Sequence, residues 1–298
     1  IRRPPRSTLD RSSAASDVYK RQPYDERLTM KAVSAVLPFR VNQYVIDELI
    51  DWTNVPEDPI FQMTFPQRGM LDPIQLAELT DLITRNAPDD ILQATVRRIQ
   101  NGLNPHPAGQ VELNVPMVNG DPLPGMQHKY RETVLFFPSQ GQTCHAYCSY
   151  CFRWPQFVGL DELKFASNEA EGLVNYLKEH KEVRSVLFTG GDPLIMRTSV
   201  LQAYIKALLS PELEHITSIR LGTKATAYWP FRFLTDSDAD DLLRLFEHCS
   251  TQGRHMTVMS HYSHPRELQT PAAQAALQRI RDTGAIVRCQ APIMQHIN

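Results

Sequence analysis

The sequence has no long apolar run. Nothing in its 298 residues approaches the roughly 20 uninterrupted apolar residues that a bilayer-spanning helix needs, and the N-terminus lacks the apolar stretch of a secretory signal. A cytoplasmic protein with no membrane partner is therefore expected. Charge of either sign is also not in excess: 31 Lys and Arg stand against 33 Asp and Glu, a formal net charge of -2. That balance argues against nucleic acid as the main partner. Five cysteines are too few for a disulfide scaffold of this length. With 13 Gly, 22 Pro and 8% aromatic residues beside 42% hydrophobic ones, the composition excludes collagen-like and disordered classes and is that of an ordinary globular chain.

The chain divides by pattern. Residues 1–22 are rich in Arg and Ser, show no periodicity and precede the first methionine, Met30; they are expected not to fold and resemble translated sequencing-adaptor sequence. The remaining residues carry 25 basic against 31 acidic side chains, so this part is mildly acidic. Residues 23–110 read as a helical N-terminal region, with helical apolar spacing at 45–52, 74–83 and 91–100, punctuated by Pro56, Pro59, Pro66 and Pro73. Residues 111–130 read as an extended connector. From 131 to 298, apolar runs at 133–138, 183–189, 216–222, 255–261 and 285–291 alternate with helical patterns at 168–180, 197–209, 236–249 and 270–283. This alternation predicts an α/β fold with a parallel sheet covered by helices, and both a barrel and an open sheet satisfy it. The chain stops at Asn298, just after the fifth run, where another helix is expected, which reads as a C-terminal truncation.

Three of the five cysteines crowd into one polar loop after the first strand. Cys144, Cys148 and Cys151 have the spacing CxxxCxxC. Ligands of parallel α/β folds meet the protein at the carboxyl ends of the strands, where this loop lies. Three soft thiolates suit a metal. A zinc-binding structural module is one reading, but zinc wants a fourth N or S ligand, and His145 is badly placed to close on the same ion as its neighbour Cys144. A four-iron four-sulfur (4Fe-4S) cluster needs only the three thiolates if one iron stays open to an exogenous ligand. At the end of the second strand, Gly190-Gly191-Asp192 would let backbone approach a ligand closely; a plain strand-to-helix turn is the alternative. Arg153, two residues past a cluster ligand, suits a bidentate grip on a carboxylate. His261 and His264 read equally well as groups that satisfy strand-end backbone. Cys249 and Cys289, in a helical and a strand pattern, are expected to be buried, inert thiols.

These segments resemble the radical S-adenosylmethionine (radical SAM) superfamily, and within it the lysine 2,3-aminomutase family. CxxxCxxC with the aromatic Tyr150 before its third cysteine is similar to the superfamily signature, and Thr189-Gly-Gly-Asp-Pro-Leu194 to the aminomutase SGGDPL form. In the same order, Leu123–Tyr130, Cys151-Phe-Arg153, Arg220-Leu-Gly-Thr-Lys224, Ser260–Pro265 and Gln290–Asn298 resemble further family segments. The resemblance implies a partial (β/α) TIM-like barrel behind a helical N-terminal region. It implies Cys144, Cys148 and Cys151 as cluster ligands, with S-adenosyl-L-methionine on the open iron and its amino group met by Gly190, Gly191 and Asp192. Tyr150 and Gln290 are further cofactor contacts, Lys129 and Tyr130 lie near pyridoxal 5′-phosphate, and Arg153 takes the substrate carboxylate. The implied enzyme is an isomerase that moves the α-amino group of an amino acid to the β-carbon through a 5′-deoxyadenosyl radical. An amino-acid substrate, a reductant such as flavodoxin or ferredoxin, and a homo-oligomer go with it. Two departures stand out: Trp154-Pro155 occupies positions where the family often has arginines, and the family's Schiff-base lysine falls beyond Asn298. Other radical SAM chemistry without pyridoxal phosphate is the alternative.

Overall fold

The structure is a computed structural model that describes residues 23–104, 113–118, 120–158, 165–167 and 170–298. The segment 1–22, expected not to fold, and the first part of the expected connector lie outside the described residues. Contacts divide the chain into two units. One comprises the residues before 108 together with those between 146 and 163; the other comprises 108–145 and the residues after 163. The boundary falls between His145 and Ala146, inside the cysteine segment.

The first unit is helical: α1 (Tyr24–Val36), α2 (Pro59–Thr64), α3 (Pro73–Thr84) and α4 (Asp89–Leu103). Asp-Pro pairs start α2 and α3. The Asp58 carboxylate accepts from Phe61 N–H at 2.8 Å and the Asp72 carboxylate from Ile74 N–H at 2.8 Å, while Pro59 and Pro73 occupy first-turn positions where no N–H is needed. Val33, Val36, Leu76, Leu79, Val96 and Ile99 form a core between α1, α3 and α4. The helical spacings at 74–83 and 91–100 are α3 and α4. The spacing at 45–52 is not an α-helix: one π-turn (Val45–Leu49) ends where Ile50 becomes extended, and the next N–H, of Asp51, is drawn to the Asp58 carboxylate at 3.1 Å.

The second unit is built on a sheet. A two-residue pair, β1 (Met117–Val118) with β2 (Asp121–Pro122), precedes a six-stranded sheet of β3 (Met126–Tyr130), β4 (Thr133–Phe136), β5 (Ser185–Phe188), β6 (Ser218–Thr223), β7 (His255–His261) and β8 (Ile286–Gln290). The strands lie in sequence order; β3 runs antiparallel to β4 and the other neighbours are parallel. Helices α5 (Ala170–Glu179), α6 (Thr198–Leu208), α8 (Ala239–Thr251) and α9 (Pro271–Asp282) connect the parallel strands, and a one-turn helix α7 (Ala225–Tyr228) follows β6. The five expected runs are β4 to β8, and the four expected helical patterns are α5, α6, α8 and α9. The expected connector instead contributes β1, β2 and β3. Strand order without reversal is compatible with part of a TIM-like fold, whereas a doubly wound sheet reverses at a switch point. Val134, Phe136, Val186, Phe188, Ile219 and Leu221 project from one face into a core with the helices, while Thr133, Leu135, Ser185, Leu187, Ser218 and Arg220, on the opposite face, are only half-buried.

Candidate active site

Cys148 and Cys151 lie in the helical unit. Their segment is fastened there by two backbone bonds, Tyr147 N–H to the Arg40 carbonyl at 2.9 Å and Ser149 N–H to the Met63 carbonyl at 2.7 Å, and by Tyr147 stacked on Phe157. The Cys151 N–H donates to the Cys148 carbonyl at 3.1 Å, which folds the two cysteines into one turn. Burial, with the neighbouring Cys148, pushes the Cys151 thiol up to about 11; the Arg153 backbone N–H, which donates to this thiol, and the guanidinium charge oppose the rise. Trp154 lines a cleft beside Cys148 with Leu37, Phe39, Phe65 and Met70. Tyr150 and Arg153 are half-buried in the same segment.

Cys144 lies in the sheet unit, directly after Thr143, and Thr143 is held by the glycine segment that follows β5. The Asp192 N–H donates to the carbonyls of Gly141 at 3.0 Å and Thr143 at 2.7 Å. A Cβ on Gly191 would lie 2.4 Å from the Thr143 backbone, and one on Gly190, whose φ is +137°, would lie 2.1 Å from the Gln142 side chain. The glycines thus admit the loop segment Gln142–Thr143 that leads into the cysteines, at the place where the sequence suggested a close approach to a ligand. We expect Gly191→Ala to push Thr143 aside and cut iron incorporation at least severalfold; iron assay after anaerobic reconstitution checks this, and unchanged iron would refute it.

Asp192 differs from the expectation that it faces the cofactor. It is 2% exposed, and its carboxylate accepts from Thr223 Oγ1 at 2.7 and 2.9 Å, Lys224 N–H at 2.9 Å and Leu194 N–H at 2.9 Å. Burial raises its pKa and these donors pull it down. Its charge is directed at the end of β6.

The network continues along the strand ends. Lys224 Nζ donates to both Glu267 carboxylate oxygens at 3.0 and 3.1 Å, to the His261 carbonyl at 3.1 Å and to Ser263 Oγ at 3.3 Å, and sits 4.2 Å from the centre of the Tyr228 ring. Glu267 is fully buried and also accepts from Ser263 N–H at 2.8 Å. The Tyr262 N–H reaches the Gln290 carbonyl at 3.2 Å, while Gln290 itself is exposed at the end of β8. Sequence reading missed Thr143, Lys224 and Glu267; a lysine immediately after an apolar strand and a glutamate in the Ser-His-Pro-Arg-Glu turn were the available signals.

His261 is neutral at ordinary pH. Burial and the Lys224 charge lower its pKa from 6.5 to about 4. Above pH 6.5 it is neutral folded or unfolded; below that the unfolded chain takes the proton first, so stability falls as pH drops toward 4 and then falls no further on this account. A complete shift of that size corresponds to about 3 kcal/mol, reduced to roughly 1–2 kcal/mol by the group's partial exposure. His261→Gln is expected to flatten that part of the denaturation curve measured against pH, and an unchanged slope would contradict it.

Other expected residues lie apart. Lys129 and Tyr130 end β3, beside Thr133 at the amino ends of the parallel strands, opposite to the Asp192 and Lys224 network. They do not join it; the Lys129 ammonium lies 5.7 Å from the Tyr130 ring centre instead. His145 stacks against Trp229. Cys249 is buried, its thiol pushed up to about 12, but Cys289 is exposed, because β8 has a paired neighbour only on the β7 side among the described residues.

Among the described residues no group of three or more His, Cys, Asp or Glu is assembled as a metal site. The donor chemistry nevertheless fits an iron–sulfur cluster: three half-buried thiols within eight residues, two of them in one turn, with a backbone N–H donating to the third sulfur. No helix among the described residues is long and apolar enough to cross a membrane.

No protein-family model matches the chain. Individual proteins do. It is 32% identical over 277 residues to a protein of Aquifex aeolicus named "Putative L-lysine 2,3-aminomutase", covering 93% of this chain and 62% of that protein. It is 23% identical to the L-lysine 2,3-aminomutase of Methanococcus maripaludis, covering 92% of this chain and 52% of that one, and 24% identical to that of Clostridium subterminale, covering 85% and 56%. The chain therefore spans between half and two thirds of the length of these relatives. The chain is thus related to proteins named L-lysine 2,3-aminomutase, over a length that includes its CxxxCxxC cysteines and its Gly-Gly-Asp segment after β5.

Proposed function

We propose that this chain serves a radical SAM aminomutase reaction, moving the α-amino group of an amino acid to its β-carbon, with lysine as the first substrate to test. The observation that carries the reading is the cysteine triplet, CxxxCxxC, in a chain related to lysine 2,3-aminomutases. Cys144, Cys148 and Cys151 hold the 4Fe-4S cluster. Bound there, the cluster and S-adenosylmethionine would supply the 5′-deoxyadenosyl radical that such an isomerisation needs. Gly190 and Gly191 offer backbone to the methionine group of S-adenosylmethionine, while Asp192 keeps Thr143, and with it the first cysteine, in place. Tyr150 and Gln290 complete the cofactor contacts. Arg153 grips the substrate carboxylate, a role that suits a guanidinium held beside a cluster ligand.

Pyridoxal 5′-phosphate enters this reading through the family relationship. Lys129 would meet its phosphate as a point charge, with Tyr130 beside it. Flavodoxin or ferredoxin is the reductant class, and a barrel closed around the site the architecture. The test is anaerobic: the chain is reconstituted with iron and sulfide and reduced, and its electron paramagnetic resonance is recorded with and without S-adenosylmethionine. A reduced-cluster signal that changes on adding S-adenosylmethionine is expected. A folded chain that takes up zinc and forms no cluster would overturn the proposal.

A further inference from the structure

The loop that carries Cys144 is held from a side chain two strands away. The sheet runs in the order β4, β5, β6; the loop follows β4, and Thr223 ends β6. Between them lies the segment after β5, in which Asp192 bonds in both directions. Its backbone N–H donates to the carbonyls of Gly141 and Thr143, while its carboxylate takes the Thr223 hydroxyl, the Lys224 N–H and the Leu194 N–H. Thr223 Oγ1 in turn accepts from the Ala225 N–H at 2.9 Å, which leaves its single proton for the carboxylate. Both side chains are buried, so bulk water does not compete for these bonds. The loop also rests directly on this segment: a Cβ on Gly141 would lie 3.3 Å from Pro193 Cα.

The two residues before Asp192 are glycines, and Gly190 has a φ of +137°. Glycine backbone is the least constrained, so the chain entering Asp192 does little to fix the direction of its N–H. The carboxylate anchor on the far side sets that direction instead. We propose that Thr223 is a positioning residue for Cys144: through Asp192 it holds Thr143, and so fixes where the first cysteine of the triplet presents its sulfur. Lys224 contributes to this anchor through its backbone N–H, because its ammonium is turned to Glu267. Tyr204 holds the other end of the loop, donating to Gln140 Oε1 at 3.1 Å, so loss of the Thr223 hydroxyl loosens the loop without releasing it. The proposal deepens the cluster reading, since its consequence for iron rests on Cys144 being a ligand.

The test compares Thr223→Val and Thr223→Ser in the full chain. Valine leaves the buried carboxylate and the Ala225 N–H each short of a partner, whereas serine keeps the hydroxyl. The first readout needs no cluster: the rate at which N-ethylmaleimide labels each cysteine of the reduced, metal-free chain, resolved by peptide mass spectrometry. Thr223→Val is expected to speed labelling of Cys144 about threefold by local opening and to leave Cys151, fastened in the helical unit, unchanged. The second readout is the reduced cluster: iron after reconstitution should fall about twofold and the resonance should broaden, through a first ligand held less firmly. Thr223→Ser should restore both. Thr198→Val is the control for a merely structural effect, since it removes an equally buried hydroxyl that is bonded to Arg232 and Asp238 instead of Asp192. It should lower the melting temperature while leaving Cys144 labelling and the resonance as they are. If Thr223→Val does not fold, Asp192→Asn decides the matter and must speed Cys144 labelling in the same way. The proposal is overturned if Cys144 labelling is unchanged, if Cys151 or the Thr198→Val chain is accelerated to the same degree, or if serine does not restore the rate. A chain that forms no cluster in any variant defeats the cluster reading, while the labelling rates still decide the role of Thr223.

Discussion

Cys148→Ala is expected to abolish cluster formation: iron after anaerobic reconstitution should fall from about four per chain to below about one, and the broad absorption of the cluster should vanish. Two remaining thiolates cannot hold a four-iron cluster that already leaves one iron without a protein ligand. Cys249→Ala and Cys289→Ala supply the contrast. The first removes a buried thiol pushed up to about 12, the second an exposed one at the sheet edge, and neither belongs to the crowded segment. Both variants should reconstitute normally, with Cys249→Ala losing only some stability through its small cavity. Equal iron in Cys148→Ala and the unaltered chain would remove the basis of the functional reading.

Glu267→Ala should be the most destabilising change at the strand ends, by about 3–5 kcal/mol, because it strands a buried ammonium. The Lys224 side chain is 11% exposed and Glu267 not at all, so water cannot replace the lost carboxylate cheaply. The His261 carbonyl, Ser263 Oγ and the Tyr228 ring would remain as neutral company for the charge. A double variant, Lys224→Met with Glu267→Leu, should recover much of the loss, since two apolar groups need no mutual compensation. Urea denaturation of the two single variants and the double variant closes the cycle. A cost below about 1 kcal/mol for Glu267→Ala, the range of solvent-exposed pairs, would show that the pair is not shielded from water.

The parallel strands were legible because each is a short apolar run between helical patterns, a signal carried by the residues themselves. The Gly-Gly-Asp segment was found for the same local reason, but the direction of its carboxylate was not. Asp192 is satisfied by Thr223 and Lys224, some 31 and 32 positions away, and no local pattern records such a partner. Spacing in 45–52 suggested a helix because period reports only which residues could share a face; competition from the Asp58 carboxylate for a backbone N–H ended it after one turn. Cys289 sits in an apolar run and reads as core, yet exposure at an edge strand depends on what lies beside the strand.

Each parallel strand of the sheet pairs with the strand made immediately before it. During synthesis, each of β5 to β8, with the helix before it, therefore meets a docking edge that has already left the ribosome. The sheet can be assembled in the order of translation, with loop closures of a few tens of residues at each step. Ribosome-bound chains of increasing length should accordingly gain protease resistance in increments, one strand and helix at a time.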